Sequence, residues 1–284
     1  MIIGLNTQLR EIHENARESM LKIGALPFIN SLPFFQPFAE KKVAFDGTIS
    51  FGSPTTLNTQ LENGLIDIGL ISSASFIANR DRYILLTNLG IGTHKRMQSV
   101  CLYSKGPPDA LNGKKIAISD ASTTSAMLLK VICKYFWNIQ PQFVETKSSV
   151  FEPLKMHDAQ LIIGDDCLSL TPSTEHTVTD LGQVWYQNTG KPFVFAVFAT
   201  RCDIWMQEPE LVRDFHQKLF QSYEYSQSHF DEIIHAAEKL TGKSKEMLKN
   251  YYKGLDYYLE SEHFQGLEHF ARLKDDRPVQ ERLS

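Results

Sequence analysis

Asn30 stands in LPFINSLPFF (residues 26–35), between Pro27 and Pro33, in company that is apolar apart from Ser31. Proline restricts its own backbone and that of the residue before it, so such a loop can hold one amide still. An amide offers donors and an acceptor together and orients a ligand without titrating. The alternative is that Asn30 caps a helix starting near Ser31 and bonds only its own backbone. Ser72 and Ser73 in LISSASF follow a buried strand and precede a helix. Two hydroxyls and the free amides of a helix start make an anion seat, although either serine alone suffices as a cap. Ser99 in QSVCLYSK opens a strand near a presumed hinge, a place where a lone serine ordinarily does nothing. ISDASTTSAMLL crowds Ser122, Thr123, Thr124 and Ser125 into one first helical turn. One hydroxyl caps a helix, so the surplus points to a bound carboxylate or phosphate. In IIGDD, Gly164 allows close approach, and Asp165 or Asp166 can act as a base, orient a donor or cap a helix. Thr189 and Gly190 in NTGKPFVFA can present a hydroxyl and a backbone amide.

Other chemistries are missing. There is no HExxH, no GxSxG elbow and no GxxxxGK[ST] loop, and Gly90-Ile-Gly92 lacks the third glycine of a dinucleotide fingerprint. The four cysteines, Cys101, Cys133, Cys167 and Cys202, form no CxxC pair and no zinc spacing, and read as reduced thiols. The histidines do not cluster at ligand spacings; His263 and His269 read as surface or packing residues of a helical tail, and Tyr251, Tyr252, Tyr257 and Tyr258 as packing on a terminal helix. The net charge of −4 gives no basic field for nucleic acid. FVFAVFA (193–199), the longest wholly apolar run, is far too short to cross a bilayer. The opening MIIGLNTQLREIHENARESM has neither the apolar core nor the cleavage site of a secretory signal, so a cytoplasmic location is expected.

The elements that must position these residues alternate. Strands are expected at 21–26, 45–52, 65–72 and 100–105, with a helix from Ser53 to Gly64 and a short one after Ser73. A second series runs through strands at 114–119, 141–145 and 159–165, with a helix over 121–136 and a short one near 150–158. PFVFAVFA (192–199) is strongly strand-like, and from Asp203 onward the pattern is helical with no further strand. Alternating apolar strands and helices imply parallel-rich sheets covered by helices. The expected architecture is two α/β lobes with a central cleft: a terminal extension over 1–19, one lobe from 20–100 plus 201–284, and a second from 101–200.

Taken in order, LKIG, PFINSLPFF, LENGLIDIGLISS, SVCLYSK, AQLIIGD and DLGQVWYQNTGKPFVFAVFA resemble the chorismate dehydratases of the futalosine route to menaquinone. The tail LDYYLESEHFQGLEHFARL is similar to that family's C-terminal helices, so the likeness runs from about Leu21 to about Leu273. The resemblance implies a type II periplasmic-binding-protein fold in a cytoplasmic enzyme whose small-molecule partner is chorismate, with no metal and no organic cofactor. It implies loss of water from chorismate to give 3-[(1-carboxyvinyl)oxy]benzoate, the substrate's own enolpyruvyl carboxylate taking the proton. Asn30 and Ser99 match the family's active-site Asn and Ser. The carboxylate seats, Ser72 and Ser73 on one lobe and Ser122 to Ser125 on the other, are inferred from the residues. HKRMQSV is more basic than the family pattern, so His94, Lys95 or Arg96 can add positive field at the cleft. The rival readings are a solute-binding protein of the same fold and the related 1,4-dihydroxy-6-naphthoate synthase, which is expected to use a histidine base.

Overall fold

A computed structural model describes residues 20–119, 123–146, 156–171 and 173–276. The chain opens with β1 (Lys22–Ala25), a 3-10 turn over Ile29–Ser31 and α1 (Leu32–Ala39). Next come β2 (Thr48–Phe51), α2 (Pro54–Glu62), β3 (Ile68–Ser72) and α3 (Ser73–Ala78). α2 starts as its sequence dictates: the Ser53 side chain accepts from the Thr56 N–H at 3.2 Å and Pro54 occupies the first turn. β3 is buried at every residue, which is why it reads as an uninterrupted apolar run.

β4 (Tyr83–Thr93) is a long strand that the pattern above does not contain. Its Gly90 and Gly92 break the β-like signature but let neighbours approach: a Cβ on Gly90 would lie 2.7 Å from the Ala196 carbonyl oxygen. The chain then crosses to a second sheet built from β5 (Val100–Ser104), β6 (Lys115–Ser119), α4 (Thr123–Val131), β7 (Gln142–Thr146), β8 (Ala159–Ile163), β9 (Thr177–Asp180) and α5 (Leu181–Thr189). It returns through β10 (Phe193–Arg201), which pairs with β3 and β4, so the expected break after residue 200 falls inside a strand of the first sheet. Helices α6 (Cys202–Gln207), α7 (Pro209–Ser228), α8 (Phe230–Thr241) and α9 (Lys245–Tyr252) follow. The tail is not wholly helical: β11 (Asp256–Tyr258) pairs with β4 before α10 (Ser261–Lys274) closes the described chain.

The sheets order as β11-β4-β10-β3-β1-β2 and β7-β6-β8-β5-β9. They are mixed rather than parallel-rich. β1 runs parallel to β2 and β3, and β6 to β7 and β8. The strands at the crossings, β4, β5 and β10, make only antiparallel pairs. In an open α/β sheet ligands gather outside the carboxyl ends of the parallel strands. Here residues at or just beyond the ends of β1, β3 and β8 line one gap between the sheets.

Candidate active site

That gap holds a cavity with about 530 Å³ of space between atoms, open solvent at its mouth included. Its lining follows from the topology. Leu26, Phe28 and Asn30 come from the loop after β1, Pro54 from the start of α2 and Ser72 from the end of β3. Thr123, Thr124 and Ser125 begin α4, and Ile163 and Gly164 end β8. Ile91, Met97, Ser99, Val100, Phe195 and Ala196 come from the crossings. Among the described residues no charged side chain and no histidine lines it. The walls are apolar and the polar groups are neutral amides and hydroxyls, a pattern suited to orienting a small organic ligand.

Asn30 is not a cap. The turn is tied by Ser31, whose hydroxyl donates to the carbonyls of Leu26 at 2.6 Å and Phe28 at 2.9 Å. Helix α1 has no side-chain cap. Asn30 is 6% exposed and its Oδ1 has no hydrogen-bond partner. A buried acceptor left open costs about 1–3 kcal/mol, and such groups persist in native structures where a ligand completes them. The loop is braced on both sides: the Tyr252 hydroxyl donates to the Ile29 carbonyl at 2.7 Å, and the Ile29 N–H donates to the Asp165 carboxylate at 3.3 Å.

Ser99 is buried, and its Oγ accepts from the Tyr251 hydroxyl at 3.0 Å. Its backbone is set by the crossing segment. Gln98 has φ 59°, a left-handed conformation that a non-glycine residue adopts only when held. Asp180 holds it, accepting from the N–H groups of Gln98 at 2.6 Å, Met97 at 3.3 Å and Gln183 at 2.9 Å. Burial raises the Asp180 carboxyl against those three donors, which favour its charge.

The expected anion seats are only partly present. Ser72 lines the cavity, but its Oγ caps α3 through the Ser75 N–H at 3.3 Å and receives the Asn58 amide at 3.1 Å. Ser73 is not among the lining residues: it is the first residue of α3, and its hydroxyl donates to the Val194 carbonyl at 2.7 Å. Thr124 accepts from the Ala74 N–H at 2.9 Å, joining α4 of the second sheet's lobe to α3 of the first. Ser125 is buried beside it and Thr123 stands exposed at the rim. Ser122 lies outside the described residues. Thr189 and Gly190 are not among the residues that line the cavity. Gly190, at φ 64°, is the left-handed C-cap of α5, and the Thr189 hydroxyl donates to the Trp185 carbonyl at 2.8 Å. We expect Thr124→Val to cost about 1–3 kcal/mol, because it orphans the buried Ala74 N–H; urea unfolding measures it, and an unchanged midpoint would remove the bridge.

Asp165 is not a lining residue. It sits behind the Asn30 loop, where burial pushes its carboxyl up to about 6 despite the Ile29 N–H that favours its charge. Gly164 beside it has φ 75°, and a Cβ there would lie 2.6 Å from the Phe28 ring. Only glycine meets both conditions, so the second lobe packs tightly on the Asn30 loop here.

His94, Lys95 and Arg96 do not line the cavity. Lys95 and Arg96 are exposed, and His94 turns to Asp256 at 2.7 Å. Asp256 also meets His263 Nε2 at 3.1 Å, so two histidines far apart in sequence do come together, and His263 is fully buried. The cluster is poorly suited to a metal. His263 Nδ1 accepts from the Glu260 N–H at 3.1 Å, which puts the ring proton on Nε2 as a donor to Asp256 and leaves no lone pair there. Burial would raise Asp256, but the bonds from His263 and His94 outweigh it and hold the carboxyl below its usual range.

The model of a family described as "Menaquinone biosynthesis" matches residues 21–276. The chain belongs to this menaquinone biosynthesis family. Among curated relatives it is 29% identical to a chorismate dehydratase of Thermus thermophilus, over 77% of this chain and 83% of that protein. It is 32% identical to a chorismate dehydratase of Campylobacter jejuni over 52% of this chain and 51% of that protein. It is 26% identical to a 1,4-dihydroxy-6-naphtoate synthase of Thermus thermophilus over 63% of each. A protein of Archaeoglobus fulgidus superposes with TM-score 0.75 at 19% identity, covering 90% of this chain and 97% of that one. The periplasmic aliphatic sulphonate binding protein of Escherichia coli superposes with TM-score 0.62 at 15% identity, covering 90% and 92%. These likenesses give the fold, a periplasmic-binding-protein type with two α/β lobes. For this family member, the residue that sequence reasoning missed is Tyr251. Its hydroxyl reaches the site from a helix 152 residues beyond Ser99, and nothing local marks it.

Proposed function

We propose that the protein is a hydro-lyase that removes water from chorismate, giving 3-[(1-carboxyvinyl)oxy]benzoate. The observation that carries this reading is the pairing, in one uncharged apolar cavity, of buried Asn30 with its open Oδ1 and buried Ser99. Family membership and the chorismate dehydratases among its relatives support it. The product ring is aromatic, so the reaction runs downhill and the protein has only to select this elimination. It does so by holding the ring in one geometry and stabilising developing charge. Ser99 donates to the departing hydroxyl and Asn30 accepts its hydrogen. The substrate's enolpyruvyl carboxylate takes the neighbouring ring proton, and hydroxide combines with that proton as water, regenerating the carboxylate. Thr123, Thr124, Ser125 and the first turn of α4 seat one substrate carboxylate. Thr124 still has its own proton to give, since its bond to Ala74 uses only its oxygen. No metal or organic cofactor enters the scheme, and the cytoplasm is its proposed setting.

Incubation with chorismate, followed in the ultraviolet, tests the proposal. Appearance of the aromatic product spectrum is expected. Binding without spectral change would make this a solute-binding protein instead. The naphthoate synthase reading is less well supported, because its histidine base has no counterpart among the described lining residues.

A further inference from the structure

We infer that Tyr251 is a positioning residue that sets the hydrogen-bond polarity of the site, making Ser99 the donor and Asn30 the acceptor toward the cavity. This rests on the reading above that those two side chains hold the substrate. The reasoning is an inventory of protons. Tyr251 lies on α9 and is fully buried; burial raises its hydroxyl far above an ordinary phenol, so it keeps its proton. That single proton goes to Ser99 Oγ at 3.0 Å. The phenolic oxygen can then only accept, and the Asn30 side chain stands next to it. Tyr251 has no second proton to give, so the amide is inferred to turn its NH2 toward the phenol, in keeping with an Oδ1 that has no partner. Oδ1, buried and without a partner, is left as the free acceptor of this cavity-lining side chain.

Ser99, receiving a proton from Tyr251, must direct its own elsewhere. The acceptor it has is the Met97 carbonyl at 3.5 Å, the outer limit of a hydrogen bond. A ligand oxygen in the cavity competes easily for that proton. The site thus presents one donor and one acceptor side by side, the complement of a single hydroxyl group, which is itself both. The ligand class it selects is a ring alcohol, and a ketone or ether at the same position satisfies only half of it. Tyr257 shows that a buried tyrosine in this core does not by itself imply such a role: it packs on Phe34 and Tyr223, and its hydroxyl has no partner.

The test is a double-mutant cycle with chorismate as substrate, using Tyr251→Phe, Ser99→Ala, the double variant, and Tyr257→Phe as control. Tyr251→Phe is expected to lower kcat about 10- to 100-fold with little change in KM. The double variant should be no slower than Ser99→Ala alone, and Tyr257→Phe should match wild type. Wild-type kcat in Tyr251→Phe, or losses that multiply in the double variant, would overturn the inference while leaving the dehydratase reading intact. If the wild-type protein does not turn over chorismate, that reading fails. Crystal structures of wild type and Tyr251→Phe then decide: a rotated Ser99 hydroxyl or Asn30 amide supports the inference, and unmoved side chains overturn it. Should Tyr251→Phe not fold, Asn30→Asp carries the test. A carboxylate has no N–H for the tyrosine oxygen and draws the phenolic proton from Ser99. Its kcat should fall as far as that of Ser99→Ala, and a wild-type value overturns the inference.

Discussion

Alanine at position 30 or 99 is expected to lower turnover of chorismate by about 10²–10³-fold, since Ser99 is a preorganised donor to the departing hydroxyl and Asn30 fixes that hydroxyl's orientation. The two variants should separate in stability although they agree in rate. Asn30 Oδ1 has no partner in the folded protein, so deleting the amide removes an uncompensated buried acceptor, which offsets the loss of its N–H toward Tyr251. Asn30→Ala should therefore melt within a few degrees of wild type, or above it. Ser99 accepts the hydroxyl of fully buried Tyr251, and its truncation leaves that donor stranded at a cost of about 1–3 kcal/mol. Ser99→Ala should melt measurably lower. Initial rates and thermal melts on the same preparations check both halves. A wild-type rate in either variant would remove that residue from the chemistry, and equal melts would contradict the assignment of Tyr251 as the donor.

The site was legible in the sequence where one local signal had one physical meaning. Two prolines around Asn30 mark a fixed loop, and the order of strands and helices places it at the end of β1. The excess of hydroxyls at the start of α4 draws attention to Thr123, Thr124 and Ser125, which are among the lining residues. Legibility ended where neighbouring residues take opposite faces or where a local motif has a local use. Ser73 follows Ser72 directly, yet Ser72 ends β3 and caps α3 while Ser73 is already helical, and its hydroxyl is turned to the Val194 carbonyl. Thr189 and Gly190 resemble a ligand loop, but a glycine at φ 64° closing α5 is a helix end. β4 was hidden by glycines that serve close packing, and β11 by its brevity within a helical tail. Tyr251 and the His94–Asp256–His263 cluster are products of tertiary folding: β11 brings Asp256 beside Gly92 of β4, and no spacing in the sequence encodes that pairing.

Asp165 offers a test in which charge, not shape, decides. Burial lifts its carboxyl from an ordinary 3.8 to about 6 in the folded protein, while the unfolded chain keeps the ordinary value. Below about pH 4 the group is neutral in both states and contributes no difference. Between pH 4 and 6 the folded form holds its proton and the unfolded form does not, so stability falls as pH rises. Above pH 6 both are ionised and the penalty is complete, on the order of 2–3 kcal/mol at about 1.4 kcal/mol per pH unit of displacement. Asp165→Asn keeps an oxygen to accept from the Ile29 N–H and never ionises. The variant should gain that amount at pH 7–8 in urea titrations, and its advantage over wild type should vanish below pH 4. Because Asp165 comes from the second sheet's lobe and Ile29 from the first, the penalty acts on the contact between lobes beside Asn30. An advantage that stays constant across this pH range would mean that the carboxylate is solvated, and that the lobes do not close over it as the structure has them.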